Sequence, residues 1–131
     1  MMGPTRLDTF VALVVDDEPR IRDYVRTILE AAHFQILEAA DGIQALEVLR
    51  DHVPDVIITD IRMPRMNGHK LAECVHTAYP GMPLIFVSGE PSGGRLHDPR
   101  NRVVFVEKPF SPDVLLGAVR RVLRPTARAC G

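Results

Sequence analysis

The sequence predicts an α/β domain: a doubly wound five-stranded parallel sheet of strand order 2-1-3-4-5, flanked by helices on both faces. Three observations predict it. Short apolar runs of strand length alternate with stretches in which apolar residues recur at helical spacing. Most of the apolar runs are continuous, as in strands buried on both faces. Four of the five runs end on charged or hydroxyl side chains, at the end of the sheet where open parallel folds keep their ligand sites.

Each element has its own signal. Residues 10–15 are a continuous apolar run. After it, Ile21, Tyr24, Val25, Ile28, Leu29 and Ala32 make one helix face. Pro19 falls where a first helical turn tolerates it, and Asp17 and Glu18 suit the positive end of the helix dipole. Residues 34–39 are a more mixed strand, with Gln35 and Glu38 as expected at a sheet edge. Asp41-Gly42 turns into a second helix carrying Ile43, Leu46 and Leu49. Val56-Ile57-Ile58-Thr59 is the third strand and ends on Asp60. Asn67 caps a helix with Leu71, Cys74, Val75 and Ala78 on one face.

Leu84-Ile85-Phe86-Val87 is the fourth strand and ends on Ser88; residues 103–106 are the fifth and end near Lys108. Ser111-Pro112-Asp113 opens the last helix, with Leu115, Ala118, Val119 and Val122 at helical spacing. A fourth helix is due between the last two strands, at 90–102. Pro91, Gly93, Gly94 and Pro99 leave it at most a turn or two, so it is expected to be short or irregular. The domain is expected to span residues 9–124, after an extension at 1–8 and before a tail at 125–131.

Composition narrows the function. A length of 131 residues suits one domain, and 46% apolar with 25% charged residues excludes a disordered chain. The net charge of -1 gives no field to hold a phosphate backbone, which disfavours direct nucleic-acid binding. The apolar run at 10–15 is too short to span a bilayer and no cleavage site follows it, so neither membrane insertion nor a signal peptide is expected. Cys74 and Cys130 make neither a disulfide framework nor a zinc site, which points to the reducing cytoplasm.

The chemistry collects on the rim where the strands end. Asp16 and Asp17 follow the first strand, Asp60 the third, Ser88 the fourth, and Glu107-Lys108 the fifth. Taken singly, each has an ordinary explanation as a cap, turn or solvated charge. Four strands bringing polar groups to one end are not explained that way. Crowded carboxylates repel unless a cation offsets the cost. An all-oxygen donor set favours a hard ion, Mg2+ or Mn2+. A carboxylate beside such an ion can act as a nucleophile towards phosphorus, with Lys108 and Ser88 placed to meet phosphoryl oxygens. Of 16 cationic residues only Lys70 and Lys108 are Lys. A chain that otherwise prefers Arg keeps a compact point charge at the rim, where a planar guanidinium would fit a tight pocket less well.

These pieces resemble the receiver domain of two-component response regulators, which has a flavodoxin-like fold. The matching segments are Val14-Val15-Asp16-Asp17-Glu18-Pro19, Asp60-Ile61-Arg62-Met63-Pro64-Arg65-Met66-Asn67-Gly68, Val87-Ser88-Gly89 and Glu107-Lys108-Pro109-Phe110, in the family's order and spacing. The resemblance implies that Asp60 is the phosphoacceptor. It implies that Asp16, Asp17 and Asp60 hold the metal with the backbone carbonyl of Arg62, and that Lys108 and Ser88 contact the phosphoryl group. It implies a cis Lys108–Pro109 bond and a switch in which Ser88 and Phe105 move on phosphorylation, with Phe105 standing where many members have Tyr. Arg62 and Glu90 fall where the family tunes phosphoryl loss.

The partner the resemblance implies is a histidine kinase or a histidine phosphotransfer protein, meeting Arg20, Arg22 and Arg26 of the first helix and the 108–110 loop. His69 and His76 are expected to be exposed polar positions on the third helix. The weak fourth helix makes the common dimer unexpected, leaving a monomer or weak homodimer. With no output module in these 131 residues, signalling is expected through a downstream protein or a phosphorelay. The alternatives are an interaction module that is not phosphorylated and the receiver piece of a hybrid histidine kinase. An aspartyl-phosphate hydrolase fits less well, because Arg62 stands where its second carboxylate belongs.

Overall fold

The computed structural model describes residues 10–89 and 102–123. The order is β1 (Val11–Val15), α1 (Pro19–Ala31), β2 (Gln35–Ala39), α2 (Gly42–Asp51), β3 (Val56–Asp60), α3 (Gly68–Ala78), β4 (Leu84–Ser88), β5 (Val103–Glu107) and α4 (Pro112–Leu123). All four strand pairings are parallel and the sheet runs β2-β1-β3-β4-β5, the order expected from sequence. The segment expected to hold a short or irregular helix, residues 90–102, lies outside the described residues except for Arg102, as do the extension and the tail.

Strand alternation divides the core into two layers. Ala12, Val14, Val56, Ile58, Ile85, Val87, Val104 and Val106 pack under α1 and α4, against Val25, Ile28, Leu29, Leu115, Val119 and Val122. Leu13, Val15, Ile57, Leu84, Phe86 and Val103 pack on the other face, against Ala45 and Leu49 of α2 and Leu71 and Val75 of α3. Both faces of the central strands are therefore covered, which accounts for their unbroken apolar sequence. β2 is an edge strand, and its Gln35 and Glu38 are exposed. No helix among the described residues is long and apolar enough to cross a membrane.

The helix ends are set by local chemistry. Asp41 caps α2 by accepting from the Gln44 amide at 2.8 Å, and Asn67 caps α3 by accepting from the Lys70 amide at 2.9 Å. Ser111 Oγ accepts from the Val114 amide at 3.3 Å and opens α4. α1 starts where the sequence places it, at Pro19, with Glu18 as an N-cap residue that makes no side-chain cap bond. Pro19 occupies the first turn, where its missing N–H is no loss.

Two glycines let the loop after β3 close on the rest of the domain. A Cβ on Gly68 would lie 2.3 Å from the Asp60 carbonyl oxygen, and one on Gly42 would lie 2.7 Å from Met66 Cγ. The first obstacle is backbone and cannot move aside. Gly68→Ala should therefore destabilise the domain by about 1–3 kcal/mol, the usual range for overpacking. A Cβ on Gly117, exposed in α4, meets nothing within 4 Å. Gly117→Ala should stabilise by about 0.5–1 kcal/mol through helix propensity. Urea denaturation of the two variants should move the midpoint in opposite directions.

Candidate functional site

The register brings the C-terminal ends of four strands to one rim. Val15 is level with Ala39 and Thr59, Asp60 with Val87, and Ser88 with Glu107. Asp16 follows Val14 by two residues, Asp60 ends the series Val56, Ile58, and Lys108 follows Val106 by two. All three continue the alternation of the layer beneath α1 and α4. Carboxylate oxygens of Asp16, Asp17 and Asp60 lie within 4.8 Å of one another. Asp16 is buried, Asp60 is half-buried and Asp17 is exposed.

Each buried group is held from several directions. Asp16 Oδ1 accepts from the Glu18 amide at 2.9 Å, and the Asp16 amide donates to the Ala39 carbonyl at 3.1 Å. Asp60 Oδ1 accepts from the Ile61 amide at 2.7 Å. Lys108 Nζ lies 3.5 Å from Asp60 Oδ2 and 3.8 Å from Asp16 Oδ2, so it bridges the two carboxylates rather than pairing with Glu107. The Lys108 amide donates to the Ser88 carbonyl at 2.7 Å, and the Lys108–Pro109 peptide bond is cis. Ser88 is buried at the end of β4.

The electrostatics are those of a crowded anionic site. Burial, with Asp60 and Asp17 nearby, raises the Asp16 carboxyl from 3.8 to about 6, although the Glu18 amide and Lys108 pull it down. One ammonium does not offset three carboxylates. The donor set is oxygen only and fits a hard divalent cation, as the receiver resemblance requires. Beside it, Asp17, Ile61, Arg62, Met63, Pro64 and Asn67 line an open pocket of about 410 Å³.

Other expected site residues are distributed unevenly. Arg62 is exposed on the pocket wall. Phe105 is half-buried on β5, its ring 6.4 Å from Phe86, whose ring is in turn 5.5 Å from that of His69. Glu90 lies outside the described residues. His76 differs from its expected exposure: it is half-buried, with Nε2 3.2 Å from the Met82 carbonyl oxygen.

Two supports were not foreseen from sequence. Arg22, expected to meet a partner, turns inward: Nη1 donates to the Asp16 carbonyl at 2.7 Å and Nε to Glu38 Oε1 at 3.1 Å. Arg65 grips Asp41, 24 residues away in sequence. Neither contact has a local sequence signature, because each joins elements that meet only in the folded chain.

The raised Asp16 carboxyl has a stability consequence. Between its unfolded value of 3.8 and about 6, the folded chain holds a proton that the unfolded chain has lost. The stabilisation is complete below about 3.8 and is lost as pH rises through about 6. Asp16→Asn keeps an acceptor for the Glu18 amide and removes the titration. In chelator-treated protein at pH 7 the variant should be more stable than wild type, by up to about 3 kcal/mol. The gap should close as pH falls to 4, measured by urea denaturation; parallel profiles would contradict this account.

Comparison with known proteins identifies the family. The family model for the response regulator receiver domain matches residues 12–120. Protein PilG of Pseudomonas aeruginosa is 31% identical over 119 residues, covering 86% of this chain and 87% of PilG. Response regulator Rre1 of Synechocystis is 32% identical over 116 residues, covering 85% of this chain and 50% of Rre1, so the chain spans only half of that relative. Among solved structures, the chemotaxis response regulator CheY4 of Vibrio cholerae superposes with a TM-score of 0.79 at 32% identity, covering 88% of this chain and 99% of that one. The chain belongs to the response regulator receiver domain family.

Proposed function

We propose that this chain accepts a phosphoryl group on Asp60 from a phosphohistidine of a histidine kinase or phosphotransfer protein, and signals through protein–protein contact. The observation that carries this reading is the bridging of Asp16 and Asp60 by Lys108 within the three-carboxylate cluster. Asp16, Asp17 and Asp60, with the Arg62 carbonyl, would hold Mg2+ or Mn2+. When bound, the cation supplies positive charge beside the phosphorus. The Ile61 amide fixes Asp60 Oδ1, so Oδ2, on the Lys108 side, is the nucleophile. Its bond to phosphorus forms as the nitrogen–phosphorus bond of the donor breaks. The Lys108 ammonium then neutralises a phosphoryl oxygen, and the Ser88 hydroxyl donates to another.

Phosphorylation is read out by rearrangement of Ser88 and Phe105. Phe105 lacks a hydroxyl, so its change is one of packing, against Phe86. Arg62, at the pocket wall, and Glu90 set how readily water reaches the phosphorus. The partner meets α1 and the 108–110 loop through apolar contact more than through the arginines. Arg22 and Arg26 are taken up by Glu38, whereas Tyr24 is 41% exposed beside Phe110, its hydroxyl donating to the Phe110 carbonyl at 2.9 Å.

Incubation with Mg2+ and acetyl phosphate, followed by intact mass measurement, tests the reading. Wild type should gain one phosphoryl group and Asp60→Asn none. Lys108→Arg should fold normally yet phosphorylate more slowly, by about tenfold or more, because a guanidinium fork cannot replace a point charge in this pocket. No mass gain in the wild type would point instead to an interaction module that is not phosphorylated.

A further inference from the structure

The loop between β3 and α3 carries the Arg62 carbonyl, and it is tied to a distant part of the fold through one side chain. Arg65 has φ 68°, in the left-handed region that only glycine and, less often, Asn or Asp occupy comfortably. The Met66 amide donates to the Pro64 carbonyl at 2.7 Å, closing a tight three-residue turn of the strained, positive-φ kind around Arg65. Nothing within this loop explains why arginine stands there.

The explanation lies across the loop. Arg65 Nε donates to Asp41 Oδ2 at 3.0 Å, and Nη2 lies 2.9 Å from Oδ2 and 3.2 Å from Oδ1, a two-pronged grip on one carboxylate. Asp41 is 8% exposed and already fixed as the cap of α2. The neighbouring Met66 packs where a Cβ on Gly42 would be. Consecutive loop residues thus engage the consecutive pair Asp41-Gly42. At its other end the loop is pinned by the Gly68 amide, which donates to the Ile61 carbonyl at 2.7 Å.

We propose that the Arg65–Asp41 ion pair is a positioning device that holds the β3–α3 loop so that the Arg62 carbonyl faces the carboxylate cluster. It thereby sets the affinity of the domain for a divalent cation. This rests on the reading of the cluster as a cation site serving Asp60. Neither Arg65 nor Asp41 touches the reacting groups; both act through the backbone between Ile61 and Gly68. The arrangement follows the general rule that groups behind the ligands tune a metal site.

The test titrates Mn2+ alone, with no phosphodonor, into the full-length chain and its variants, followed by electron paramagnetic resonance. Arg65→Gly removes the side chain and makes the positive φ comfortable. Asp41→Asn keeps a competent helix cap and removes the charge. Each should weaken Mn2+ binding about tenfold, and the double variant should be no weaker than either single one, because both remove the same pair. Arg65→Gly carries the test by itself if Asp41→Asn fails to fold. Unchanged Mn2+ affinity in Arg65→Gly, or additive losses in the double variant, overturns the positioning role and leaves the cation site standing. A wild type that binds no Mn2+, or whose binding survives Asp16→Asn, overturns the site reading and the proposal together.

Discussion

Mutual repulsion among three carboxylates is the constraint around which this domain is organised. Asp16, Asp17 and Asp60 are brought together by parallel strand register, at a rim where Asp16 is already buried. Such crowding raises the energy of the folded state unless positive charge and hydrogen-bond donors surround it. Lys108 supplies the charge from β5; the amides of Glu18 and Ile61 supply the donors. Further out, Arg22 holds the Asp16 carbonyl and Arg65 anchors the adjoining loop. A cluster of like charges must be held in place by the scaffold around it.

The fold was almost wholly legible in the sequence because it depends on repeating patterns. Unbroken runs such as residues 84–87 announced strands with both faces covered, and β4 is buried along its whole length. Asn67 announced the start of α3 through its cap. Glu38 marked an edge strand. The acidic cluster was legible for the same reason. Once a sheet is parallel, residues that follow its strands must meet.

What is not legible is the set of side-chain contacts between separate elements. Arg65 and Asp41 are 24 residues apart and Arg22 and Glu38 are 16 apart, with no periodicity to link either pair. Arg22 is partner-facing only by the receiver resemblance, which places the first helix against a partner. The Asp16 carbonyl and the Glu38 carboxylate together turn the guanidinium inward. In each case tertiary geometry selected between options that local sequence leaves open.

The ion pairs around Glu38 act at a second place as well. β2 is an outer strand of the sheet among the described residues, and an outer strand invites pairing with another copy. Glu38 sits near its middle, gripped by Arg22 at 3.1 Å and Arg26 at 3.4 Å. Any chain adding alongside would meet this fixed charge cluster and have to desolvate it. The arginine that braces the strand end bearing Asp16 therefore also fixes a carboxylate on the outer strand, where a fixed charge works against edge-to-edge pairing.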